Sequence, residues 1–537
     1  MSRPHESPRF IALIAAVALL MTQIGMTREP ARIGSLSATE TKNLELLLRS
    51  ELLTVLGREK TQPGESPAAS LLRGVRVDRT SNLVIVELSK DYLPAGVANY
   101  SAELEDRLHR MTTGILWSIE NELKLSAAGV SYIFDGQPLW FYYPEDFPDH
   151  KPNAKPPTKA THGKNTPIIV SAGHGAYLFY GTSPSTWRYQ RDAAFGIRED
   201  TMTQLLTDEL ADLLITRSGA TVGFVRDFST TAHTPSGLPW SDVAARYFLA
   251  DALPARPDIW NSLPAATHDL RERDEDIRAR PFYANDVGAQ ALLSVHTNGD
   301  GSPTPRGARI YHATGRSGDQ AIANSMLCYM KEIIQAQDGY EDFPVAAASH
   351  SSTGHGENNH AAVPAVIIET AFHSNPDDAA ALQDPIFRTA AMKGVEKGYR
   401  LHMANESCTH YEIIDVPDVS APWGGSAVVS IHYEGFPQYP VEVTIEDVAC
   451  SVLCTPGGGM IASEWPSPIE VGFACHGDPD APPGTAQWRV TFTDDDGVST
   501  EFEYSSICGG SGSTASTRSK AAPAGRLIGP SQSLIPN

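Results

Sequence analysis

The rhythm of apolar and polar positions changes several times along this 537-residue chain. Phe10 to Met21 is an unbroken apolar run behind Arg3 and Arg9, short for a bilayer span but suited to the core of a signal peptide. From 40 to 145 the pattern is mixed. Val84, Val86 and Leu88 alternate as a strand, Leu104, Leu108, Met111, Ile115 and Ile119 recur at helical spacing, and Val130, Tyr132 and Phe134 alternate before an Asp135-Gly136 turn. Between 166 and 403 short apolar runs (Ile168 to Val170, Leu292 to Val295, Val366 to Ile368) alternate with helical patterns such as Leu205, Leu206, Leu210, Leu213 and Leu214. Strands alternating with helices predict an α/β domain with a mixed sheet flanked by helices. From 410 to 508, Ala427 to Ile431 and Trp488 to Phe492 alternate between Asp, Gly and Pro turns, predicting an immunoglobulin-like β-sandwich.

These shifts give a multidomain plan: a signal peptide or N-terminal anchor at 1–27, a small α+β domain at 40–145, a Pro/Lys linker at 146–165, the α/β domain at 166–403, the sandwich at 410–508 and a disordered tail at 509–537. Thr22 to Met26 contains no Ala-x-Ala word, so cleavage and an uncleaved membrane anchor both stay open. Residues 228 to 270 read as an insertion, either a lid or a surface elaboration.

Chemistry concentrates in the α/β segment. His174 ends the run Ile168 to Gly173 and His296 ends Leu292 to Val295, each at a strand's end, where open α/β sheets place ligands. Glu199 opens the leucine-rich helix, and Glu369 follows Val366 to Ile368. Two imidazoles and a carboxylate suit Zn²⁺, which in catalytic sites takes three protein ligands and leaves a fourth position to water. The assignment is His174, Glu199 and His296 to the metal, with Glu369 as the proton carrier. His350, His355 and His360 stand in a polar loop before Glu369, and Tyr177, Phe179, Tyr180, Trp187 and Tyr189 lie between the first two ligands, where aromatics stack on sugars or line a peptide cleft.

These words resemble, in order, the zinc-dependent N-acetylmuramoyl-L-alanine amidases of the Amidase_3 type. The resemblance rests on Gly173-His174-Gly175, Glu199, Thr221 to Asp227, Arg280 with Ala284-Asn285, Ser294 to Asn298, and Pro364 to Asn375. It implies hydrolysis of the amide between N-acetylmuramic acid and L-alanine in peptidoglycan, with zinc as cofactor and the cell wall as partner. Ser171, Ala176 and Ala371 depart from the family, and Ser171 removes a charge that could orient the first histidine. The 40–145 segment resembles GerMN-type domains through Val84 to Lys90 and Phe134-Asp135-Gly136, and carries no acid, base or metal cluster.

Two other readings stand beside this one. A different zinc amidohydrolase acting on an extracytoplasmic amide is one, although a carboxypeptidase needs His-x-x-Glu and Tyr177 holds that glutamate's place. An inactive wall-binding protein is the other. Net charge of −22 and a pI near 5.2 argue against nucleic acid. Of six cysteines, five (Cys408, Cys450, Cys454, Cys475, Cys508) lie beyond the α/β segment, which points to disulfides and an extracytoplasmic location. Cys450 and Cys454 alternatively begin a metal site, and an odd number leaves one cysteine to pair with Cys328 or stay free.

Overall fold

The computed structural model describes residues 30–58, 67–150, 166–299, 301–509 and 531–533. The signal or anchor segment 1–27 and most of the linker lie outside the described residues. The chain divides into two compact units, Met1–Leu327 with Pro344–His402, and Cys328–Phe343 with Met403–Asn537.

In the first unit, α1 (Ala38–Gly57) starts at a capping box in which Ser37 and Glu40 satisfy each other's backbone N–H groups. Strands β1 (Leu72–Asp78) and β2 (Leu83–Leu88), helix α2 (Ala102–Trp117) and strand β3 (Gly129–Phe134) follow. The spacing predicted α2 correctly: Leu104, Leu108, Met111 and Ile115 are buried with Val84, Val86 and Leu88 in one core. The α/β segment contributes β4 (Ile168–Ala172), α3 (Glu199–Thr216), β5 (Val222–Phe224), α4 (Arg271–Asp286), β6 (Leu292–Asn298), β7 (Arg309–Ala313), β8 (His350–Ser352), α5 (Gly356–His360) and β9 (Ala365–Phe372).

One mixed sheet runs through both segments in the order β5-β4-β6-β9-β7-β8-β3-β2-β1, with Gln137–Pro138 added beside β3. Strands β5, β4, β6 and β9 are parallel, and β9 meets β7 antiparallel. The segments join where β8 pairs with β3 through Ser351↔Gly129 and Ser352↔Val130. Gly129 is required there, since a Cβ on it would lie 2.1 Å from the Ser351 carbonyl oxygen. The 228–270 insertion forms helices Ala245–Ala252 and Pro257–Trp260, whose Leu249 and Ile259 pack on Ala279 of α4.

The second unit holds two five-stranded sheets, the β-sandwich expected from the alternation. Val441, Val443 and Ile445 point inward between exposed Glu442, Thr444 and Glu446, and Trp488 is fully buried. Cys475–Cys508 ties a strand of one sheet to a strand of the other, Cys450–Cys454 closes a turn, and Cys328 pairs with Cys408. The cysteine pair at 450 and 454 is thus a disulfide rather than the start of a metal site. Much of the tail lies outside the described residues, but Ser531–Ser533 form a strand in one of the sheets. Among the described residues, no helix is long and apolar enough to cross a membrane.

Candidate active site

Parallel register brings the three strand ends level. Val295 lies opposite Ala172 on one side and Ile368 on the other, and His296 lies opposite Glu369. Beyond Ala172 the chain turns at Gly173, where a Cβ would fall 2.5 Å from the His296 ring, so only glycine permits this approach. His174 takes a left-handed backbone conformation (φ 62°) that swings its imidazole across the sheet's end. Glu199 is the first residue of α3, as the sequence predicted.

The predicted ligands come together. His174 Nε2 and His296 Nδ1 each lie 3.2 Å from Glu199 Oε1, and the three ligand atoms fall within 4.8 Å of one another. The residues are 5, 6 and 3 % exposed respectively. Two imidazoles with one carboxylate are a donor set that fits Zn²⁺. Glu369, 5 % exposed, stands beside this cluster with Oε2 lacking any hydrogen-bond partner. Burial pushes its carboxyl up to about 8.

The two histidines differ electrostatically. Burial, with Arg191 adding to it, lowers the pKa of His174, whose Nδ1 meets the neutral amide oxygen of Gln190 at 3.1 Å. His296 is also desolvated but lies between two carboxylates, with Nε2 3.2 Å from Glu357 Oε1, and these raise it. Glu199 is held well below the usual carboxylate range by both histidines, against the opposing effect of its burial.

Four supporting contacts were not legible in the sequence. Gln190 fixes the His174 ring and is itself anchored by Asp276 at 2.8 Å, so an amide takes the orienting part that the Ser171 departure left open. Ser171 itself is fully buried and its hydroxyl is unpartnered. Glu357 holds His296 and is bridged by Arg280 to Asp276, while Arg280 also donates to the His174 carbonyl. From α2 of the N-terminal segment comes His109, whose Nδ1 lies 3.0 Å from His355 Nε2 and whose Nε2 lies 3.0 Å from Asn298 Oδ1 and 3.9 Å from Glu369 Oε1. Asp106, one turn earlier, pairs with Arg191 and Arg273.

The other flagged residues scatter. Of the loop histidines only His355 borders the site; His350 meets Glu120 at 3.1 Å and His360 meets Asp146 at 3.2 Å. Tyr177 and Phe179 lie opposite Arg188 and Thr186 in a small hairpin that also carries Trp187, Trp187 meets His233 edge-on and Tyr247 at a tilt in the insertion, and Tyr180 and Tyr189 donate to Glu272 and Asp242. Arg226, in the turn matched to the family, is buried and donates to the carbonyls of Gly173 and Asp200.

One family model matches the segment that holds this cluster. Residues 168–400 match the family model described as N-acetylmuramoyl-L-alanine amidase. Among solved structures, the catalytic domain of CwlV, an N-acetylmuramoyl-L-alanine amidase from Bacillus (Paenibacillus) polymyxa var. colistinus, is 16 % identical, covering 45 % of this chain and 99 % of that one at a TM-score of 0.30. The amidase of Clostridium difficile 630 is 12 % identical over 46 % and 100 % (TM-score 0.31), and Ami1 from Mycobacterium smegmatis 16 % over 45 % and 100 % (TM-score 0.30). Among curated proteins, none matches the chain in sequence. The segment from 168 to 400, with its Gly-His-Gly turn, its helix-opening glutamate and its paired His296 and Glu369 strands, is similar in sequence to the N-acetylmuramoyl-L-alanine amidases of the Amidase_3 family.

Proposed function

We propose that the protein hydrolyses the amide bond between N-acetylmuramic acid and L-alanine in peptidoglycan, outside the cytoplasm, using zinc held by His174, Glu199 and His296. The observation that carries this reading is the meeting of those three side chains beside a buried, half-unpaired Glu369 within the segment similar to the Amidase_3 family. Zinc, when bound, supplies a Lewis acid for the carbonyl and lowers the pKa of water at the open position.

The chain's own residues do the rest. Gln190 and Glu357 hold the two imidazoles at fixed tilt, so the ligand atoms face one point without reorganisation. Glu369 takes a proton from the attacking water and returns it to the leaving amine of alanine. Its environment suits that exchange, because a carboxyl raised to about 8 holds a proton through neutral pH, about ten to one over the ionised form at pH 7, yet keeps the ionised form within reach. Asn298 stands beside Glu369 with its amide nitrogen buried and unpartnered, a donor ready for the developing oxyanion.

The test is digestion of purified cell wall by the full chain. Peptides with a new amino-terminal alanine, released with zinc and abolished by a chelator, are the expected products. Release of other amino termini would favour a different amidohydrolase, and binding without release an inactive wall-binding protein.

A further inference from the structure

Asp106 is held by two guanidinium groups of the α/β segment. Arg191 grips it in the bidentate manner, Nη1 to Oδ2 at 3.1 Å and Nη2 to Oδ1 at 2.7 Å, and Arg273 Nη2 also donates to Oδ2. The same Arg191 places its Nε 3.4 Å from Glu199 Oε2. One guanidinium therefore spans from a metal-ligand candidate to the clamped carboxylate, which puts that carboxylate within about one or two residues of chain, at roughly 3.5 Å each, of the reacting amide. Arg273 keeps a spare donor, since its Nε is buried without a partner. Paired arginines offering fork geometry are a recognition device for carboxylates.

The clamped carboxylate arrives from a different segment, and ion pairs surround the contact that brings it, beside an apolar patch where Tyr311 and Ile367 join the core under α2. Asp146 pairs with Arg278 and His360, Glu120 with His350 and Arg309, and Asp149 with Arg316, while only two residue pairs join β3 to β8. Ion pairs at such a junction can be exchanged for water, so they do not themselves oppose relative motion of the segments. Motion is also needed, because with α2 in place the metal cluster and Glu369 are each no more than 6 % exposed.

We infer that Arg191 and Arg273 form a carboxylate-binding subsite for an acidic peptide substrate, and that Asp106 occupies it in this structure as the chain's own competitor. The inference rests on the amidase reading for its substrate and names what that substrate carries next to the scissile amide: a free carboxylate. Displacement of α2 and entry of the peptide are then one event, since the same two cations hold either carboxylate. Burial alone would raise the Asp106 pKa, but Arg191 and Arg273 overcome it and hold the carboxyl well below the ordinary range, so the competitor is ionised at every working pH.

The experiment measures binding of L-alanyl-γ-D-glutamate to the full chain by calorimetry, alongside its doubly amidated analogue, and needs neither metal nor turnover. Asp106→Asn should bind the dipeptide at least about tenfold more tightly than the parent, in keeping with loss of a charge-assisted bidentate competitor. The amidated analogue should gain nothing, and Arg273→Gln added to Asp106→Asn should abolish the gain. Equal affinity in parent and Asp106→Asn, or equal gain by the amidated analogue, overturns the subsite. A second measurement on the unaltered chain guards against a poorly folded variant: saturating dipeptide should speed amide hydrogen exchange across 102–117, and unchanged exchange overturns the competition. Carboxylate-dependent binding with no alanine termini released from wall would leave the subsite standing and remove the amidase reading. Wall hydrolysis without carboxylate-dependent binding would do the reverse.

Discussion

Helix α2 carries Glu105, Asp106 and His109 into the α/β segment, whereas the strands of the C-terminal unit turn their charged residues to water. Both segments present a regular apolar stripe, and both bury it as the pattern demands. What differs is the opposite face. In the sandwich, Glu442 and Glu446 between Val441, Val443 and Ile445 are exposed, and the unit is closed by its own core and three disulfides. On α2, the polar face is a contact surface, because the sheet continues past β3 into β8 and sets the strand ends of the α/β segment beside the helix. Apolar periodicity therefore reports which face enters a segment's own core and says nothing about whether the other face meets solvent or a second segment.

Substitutions in the two regions should differ in what they remove. The largest effect is expected in the α/β segment: Glu199→Ala removes the carboxylate that faces both His174 and His296, and metal analysis should find zinc lost together with wall hydrolysis. Retention of stoichiometric zinc would show the ion to be held elsewhere. In the C-terminal unit, replacing Cys328 and Cys408 by serine opens a link across 80 residues, for which chain entropy predicts about 4.5 kcal/mol, while the Cys450–Cys454 link across 4 residues predicts about 2 kcal/mol. Denaturant titration of the two variants should rank them in that order with wall chemistry intact, and the reverse order would show that the short loop has a role beyond closure. Gln190→Ala should weaken zinc affinity by about 10- to 100-fold, the usual cost of losing a group that orients a ligand histidine. Titration with a zinc indicator showing no change would mean that the Gly173-His174 backbone fixes the ring unaided.

The smallest effect concerns pH. Glu105 accepts from the Gly356 N–H at 3.1 Å beside Glu357, Asp106 and Arg191, and burial pushes its carboxyl up to about 8. An acid whose pKa is raised by docking favours the docked helix while protonated, so its contribution is full below its ordinary 4.5 and is lost as pH rises to about 8. Hydrogen exchange of α2 should accelerate across that window, and Glu105→Gln should flatten the profile. Asp106, ionised throughout, does not contribute to the slope.

Much of the architecture was legible because burial is periodic: β4, β6 and β9 are short apolar runs, α3 repeats leucine at helical spacing, and the sandwich alternates. The convergence was legible because His174, His296 and Glu369 each end such a run, where parallel strands finish together, and Glu199 opens the leucine-rich helix α3. Gln190, Glu357 and His109 left no such trace. Each lies in a polar stretch, and its meaning comes from what approaches it: Gln190 from Asp276, Glu357 from Arg280, His109 from Asn298. Strand β8 was missed for a related reason, since His350-Ser351-Ser352 has loop composition and becomes a strand by filling the gap between β7 and β3.

The Glu369→Gln variant separates chemistry from metal binding, with zinc content, folding and wall hydrolysis read on the same sample. The amide keeps the shape and one hydrogen-bonding oxygen but cannot accept a proton, so the variant should hold one zinc and melt like the parent while hydrolysis falls by about 10²- to 10⁴-fold. A folded, zinc-loaded variant that retains most of its turnover would contradict the account and remove Glu369 from the chemistry.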